Sequence, residues 1–110
     1  MPTLPSLTPA TGTQEEVQTR RIPPYNVILL NDDHHTMEFV VGVLMKVIGC
    51  QQERAYQLMM EAHESGRVII WSGPLEGAEL KQEQMLTFHE KLGDGHELGP
   101  LGCVIEPAPG

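Results

Sequence analysis

Positive charge is what this chain lacks most: seven Lys and Arg face fifteen Asp and Glu in 110 residues, a formal net charge of -8. Without a Lys/Arg surface to replace counterions along phosphates, nucleic-acid binding is disfavoured, and a cationic ligand is the better match. Cysteine is scarce as well. Cys50 and Cys103 lie far apart, form no CxxC pair and follow no signal-peptide pattern, so both are expected as reduced thiols. Long apolar runs are also missing. Val27 to Leu30 and Phe39 to Met45 fall far short of the roughly 20 residues a membrane span needs. Arg20-Arg21 does not open an export signal, because Ile22-Pro23-Pro24 follows with no long apolar region beyond it. A soluble, cytoplasmic chain with no membrane partner is expected.

Catalytic motifs are absent too. A hydrolase would have to use His63 as base, Asp32 or Asp33 as its orienter and Ser65 on the same helix end as nucleophile, yet no Gly-x-Ser-x-Gly elbow exists. A small metal-dependent hydrolase could draw on five His and two Cys, but His34 and His35 are adjacent and no HExxH or CxxC pair is present. The expectation is therefore no catalytic residue, no metal and no cofactor.

What is present is organised for one small domain. Five of the nine prolines fall in the first 24 residues, among Thr, Ser and Gln without helix or strand period, so residues 1–22 are expected as a disordered extension. Residues 23–107 then form the core domain, and 108–110 a short tail. Tyr25 to Leu30 reads as a buried strand ending in the turn residues Asn31-Asp32-Asp33. Met37, Val40, Val41, Leu44, Met45 and Ile48 fall on one helical face, capped by Asp33 or Thr36 and stopped by Gly49. A second helix after Gln51 carries Ala55, Leu58, Met59 and Ala62 and closes at Ser65-Gly66, with His63 at the edge of its apolar face. Val68 to Trp71 reads as a second strand, about Leu75 to Leu92 as a third helix, and Leu101 to Ile105 as a third strand. The order β-α-α-β-α-β predicts an α+β fold, a three-stranded antiparallel sheet packed against three helices.

Two polar features stand against these apolar elements: Asn31-Asp32-Asp33 and His63. An α-ammonium group offers three N–H donors and a positive charge, so its site needs about three acceptors, at least one of them anionic. An Asn carbonyl, an Asp carboxylate and a neutral His nitrogen make that set. If the two helices form a hairpin over the sheet, Met37, Val40, Met59 and Ala62 line an apolar cavity beside it. Taken singly, Asn-Asp-Asp is an ordinary turn and cap, and His63 an ordinary helix-end cation.

In order and spacing, Asn31-Asp32-Asp33, Thr36-Met37-Glu38-Phe39-Val40-Val41, Glu53-Arg54-Ala55, Leu58-Met59, His63, Gly66, Ala78-Glu79 and Lys81 resemble the ClpS adaptor family over about residues 24–106. The resemblance implies that family's α+β fold and its role in the N-end rule: binding N-degron proteins and peptides that begin with Leu, Phe, Tyr or Trp, and delivering them to a Clp AAA+ unfoldase, ClpA- or ClpC-like, with its peptidase. It implies that Asn31, Asp32 or Asp33, and His63 hold the α-amino group. It assigns the side-chain pocket to Leu30, His35, Met37, Val40, Met59, Ala62 and Leu101, with Met37 excluding β-branched side chains. The extension would engage the unfoldase pore. This chain departs from the family at His35-Thr36, where Thr-Pro is common, at Ala62, where Val is usual, and at Ile70-Trp71-Ser72-Gly73. The same domain occurs in eukaryotic N-recognin ubiquitin ligases, which gives a binding module not coupled to Clp as the alternative.

Overall fold

The computed structural model describes residues 22–109, so the expected extension lies outside the described residues except for Ile22. A run of β-branched and apolar residues makes Tyr25–Leu30 the strand β1, and the chain then alternates as Met37–Ile48 (α1), Gln52–Ser65 (α2), Arg67–Gly73 (β2), Leu75–Leu86 (α3) and Cys103–Pro107 (β3). Strand order is β2-β1-β3, with both pairings antiparallel. The helices pack on the sheet face that carries Val27 and Leu29, and the core closes around Leu44, Ala55, Leu58, Ala78, Met85 and Leu101. Each fully buried Leu or Met side chain among these contributes about 1.5–3 kcal/mol, whereas the two alanines serve mainly to let the elements approach. On the outer face, Arg67 and Glu106 pair at 2.7 Å, joining the two edge strands across β1.

Local chemistry fixes the joints. Thr36, not Asp33, caps α1, its hydroxyl accepting from the Phe39 N–H at 3.1 Å. Gly66 ends α2 in the left-handed region (φ 91°), where any other residue would be strained. Lys81 on α3 donates to the Val47 carbonyl at the end of α1, at 2.9 Å, and so ties two helices together. The Trp71 ring packs closely on α3: a Cβ at Gly77 would come within 2.5 Å of it.

Expected boundaries shift in three elements, and β2 runs over Arg67–Gly73 rather than Val68 to Trp71, since Ser72 and Gly73 still pair with Asn26 and Tyr25. The third helix stops at Leu86 rather than Leu92, because Thr87 folds its N–H and its hydroxyl back onto the Gln84 carbonyl. Residues 90–98 then form a small hairpin, with Leu98 N–H bonded to the Glu90 carbonyl and Gly95 at its turn with φ 92°. Leu92 had matched the helical stripe by spacing alone. The third strand begins at Cys103 rather than Leu101. The Leu30 N–H takes the Gly102 carbonyl as acceptor, and Leu101 stays ahead of the strand with its side chain in the interior.

Among the described residues, no helix is long and apolar enough to cross a membrane. Cys50 and Cys103 are free thiols, and burial pushes the Cys103 thiol up to about 11.

Candidate functional site

The end of β1 and the end of α2 are 35 residues apart in sequence, and a backbone bond at the end of the β1–β2 pairing brings them together. Gly66, by turning left-handed, aims its carbonyl at the Asn31 N–H, 2.9 Å away. Between the two segments lies a cavity of about 360 Å³, within the usual range for small-ligand sites. Its apolar lining includes Leu30, Val40, Met59, Ala62 and Leu101, with Met37 half-exposed at the mouth. Asn31, Asp32, Asp33, His35 and His63 also line it. All eleven residues expected from the sequence therefore face a single cavity.

Three further residues line it that the sequence did not single out: Leu29, Tyr56 and Met60. A signal for two of them existed. Tyr56, Met59, Met60 and His63 stand at i, i+3, i+4 and i+7 on α2, one helical stripe toward the cavity. Leu29 carried no such signal, since it reads as core and is only 2% exposed.

The two adjacent aspartates have different surroundings. Asp32 is consumed by its own loop: Oδ1 accepts from the N–H groups of His34 and His35 at 2.7 and 2.9 Å, and Oδ2 meets His35 Nδ1 at 2.7 Å. Burial raises its pKa, but these hydrogen bonds and the His35 charge outweigh that and hold it below its ordinary value. Among the described residues, no partner of this kind engages the Asp33 carboxylate, and Asn31, Asp33 and His63 are solvent-exposed on the rim.

The loop is pinned from outside as well. Glu90 accepts from the Thr36 N–H at 3.0 Å and from its hydroxyl at 2.6 Å, while His35 Nε2 lies 2.7 Å from the Gly99 carbonyl. Glu90 opens the 90–98 hairpin, whose base is closed by the bond from Leu98 to Glu90, and Gly99 follows it directly. The His35 ring also stacks on Phe39, centroids 5.0 Å apart. Asp32, His35 and Thr36 thus organise the loop, and Asn31, Asp33 and His63 line the cavity as exposed polar side chains. Among the described residues, no group of three His, Cys, Asp or Glu side chains gathers as a metal site would.

Fold and cavity together define a small α+β binding domain with an apolar interior and an acceptor-rich rim. The profile of the family described as "ATP-dependent Clp protease adaptor protein ClpS" matches residues 20–103. The ATP-dependent Clp protease adapter protein ClpS of Aromatoleum aromaticum is 40% identical over 94 residues, 84% of this chain and 87% of that protein. Its namesake from Thermosynechococcus vestitus is also 40% identical, over 84 residues, 76% of this chain and 87% of that protein. Among solved structures, Agrobacterium tumefaciens ClpS2 bound to L-phenylalaninamide superposes with a TM-score of 0.69 at 31% identity, covering 80% of this chain and all of that one. The chain belongs to the ClpS family of Clp protease adaptors.

Proposed function

We propose that this chain binds proteins whose first residue is bulky and hydrophobic (Leu, Phe, Tyr or Trp) and delivers them to a Clp AAA+ unfoldase, ClpA- or ClpC-like, and its peptidase in the cytoplasm. It acts as an adaptor and performs no chemistry of its own. One observation carries the reading: a single cavity joins an apolar interior to Asn31, Asp33 and His63, the acceptor set an α-ammonium group requires. In this reading, the first side chain fills the space between Val40, Met59, Ala62 and Leu101. The ammonium donates to Asn31 Oδ1, an Asp33 oxygen and the neutral nitrogen of His63. Asp32 supports the loop that positions them, and Met37 closes the mouth against branching at Cβ. The ligand of the Agrobacterium relative has the same two parts, a free α-amine and a bulky apolar side chain.

The test is equilibrium binding of short peptides that differ only in residue one. Leu and aromatic first residues are expected to bind, and Gly, Asp and Lys are not. Equal affinity across the panel would overturn the reading. Delivery is tested separately. Removing residues 1 to 20 is expected to leave peptide affinity intact and to stop degradation by the Clp enzyme, whereas full delivery without them would make that segment irrelevant.

A further inference from the structure

The His35 ring is nearly buried, its side chain 4% exposed, and both of its nitrogens face acceptors at 2.7 Å: Nδ1 the Asp32 carboxylate and Nε2 the Gly99 carbonyl. A neutral imidazole has one N–H and one lone pair, so either tautomer would set a lone pair against an oxygen at that distance. Only the imidazolium donates on both sides. We infer that His35, as imidazolium, is a positioning residue that clasps the Asn31–Asp33 rim to the Gly99–Leu101 wall of the cavity and makes the shape of the pocket depend on pH. This rests on reading the cavity as a site for N-terminal residues.

When the ring loses a proton, the bond to the carboxylate is the one kept, because a lone pair facing an anion at 2.7 Å is the costlier alternative. The contact with Gly99 is then lost. Two residues on from Gly99, Leu101 forms the wall that the clasp holds in place. The groups that face the ring are Asp32 from its own loop, the Gly99 carbonyl from the segment before β3, and Phe39 from α1. The charged groups around these are Glu90, bonded to Thr36, the exposed Glu38 on α1, and Asp33 and His63 in the same cavity lining.

The experiment compares the wild-type chain with His35→Thr from about pH 5.5 to 8.5, the span over which imidazoles titrate. Affinity for a Leu-initiated peptide is measured in both. Taking the ratio of the two affinities at each pH removes what the peptide itself contributes in common. The wild type is expected to bind roughly three- to tenfold more tightly at the acidic end, with the ratio falling as pH rises and the Gly99 contact is lost. A ratio independent of pH would overturn the inference. In parallel, NMR of the unliganded wild type follows the His35 ring and the Gly99 and Leu101 amides. They are expected to share one midpoint, and amides that ignore the ring would refute the clasp. This second measurement decides the matter even if His35→Thr fails to fold. It also separates two failures: if no peptide binds at any pH, the N-terminal-residue reading falls, while the amide titration still reports on the clasp.

Discussion

Asp32 and Asp33 are neighbours in sequence and in the same cavity lining, but they belong to different regions of the rim. The region around Asp32 is saturated: its carboxylate is bonded to His34 and His35, His35 also meets Gly99, and Thr36 is held by Glu90. The region around Asp33, with Asn31 and His63, is exposed at the cavity, and on the proposed reading it offers acceptors to a ligand. A polar group with its partners already in place supports the architecture, whereas one with open valences at a cavity mouth is available to a ligand. The contrast tells two adjacent carboxylates apart by what each already touches.

The largest test of the contrast acts on the ligand. Acetylating the α-amine of a Leu-initiated peptide removes the charge that the open region is read as binding, and affinity is expected to drop by about 2–5 kcal/mol in isothermal calorimetry. Undiminished binding of the acetylated peptide would sink the assignment of Asn31, Asp33 and His63.

Next in size is the comparison of the two aspartates themselves. Asp33→Ala is expected to weaken peptide binding more than tenfold with little change in Tm. Asp32→Asn is expected to lower thermal stability by about 1–3 kcal/mol, since it disturbs a carboxylate bonded on both oxygens. The acid side carries a signed prediction. Asp32 has a folded-state pKa below its ordinary 3.8, so its stabilisation is fully present above that value and is lost as pH falls through the lower folded-state value. Acid unfolding followed by circular dichroism should show this loss in the wild type and a smaller loss in Asp32→Asn. If both substitutions act alike on binding and stability, the division of roles is wrong.

A smaller effect is expected in the apolar interior. Ala62 is buried in the cavity wall, and Ala62→Val should disfavour Trp before Leu at residue one, overpacking costing about 1–3 kcal/mol. Met37→Ala, at the open mouth, should admit Val and Ile while weakening Leu only modestly. A peptide panel with unchanged discrimination would place the gate elsewhere, and Tyr56 and Met60 would be the next residues to vary.

The smallest effect belongs to the far side of the sheet. Arg67→Ala breaks an ion pair whose two side chains are each 49% exposed, so stability should change by less than about 1 kcal/mol and peptide affinity not at all. A change in affinity would show that the outer face communicates with the cavity.

Much of this was legible from spacing. β1 and α1 appear where a short apolar, β-branched run, a helical period and clear stop residues put them. The end of α3 was not legible: Leu92 matched the stripe, and only the Thr87 turn and the 90–98 hairpin show that the chain had already left the helix. Within the site, residue types and family resemblance indicated which side chains gather, but not which aspartate is taken. That depends on His35 and on backbone N–H groups whose directions no pattern of side-chain types encodes.

The placement of Leu101 has a consequence for the order of events during synthesis. This wall residue comes at the far end of the domain, about 70 residues after the loop it completes, and it enters ahead of a strand that pairs with the first one made. Contacts so distant along the chain form late, once the intervening segments have condensed. A chain still emerging from the ribosome has its acceptors before it has its pocket. On the proposed reading, capture of an N-terminal residue awaits release of the last strand, and a truncated product ending before Leu101 is expected to carry the rim residues without the wall that completes the cavity.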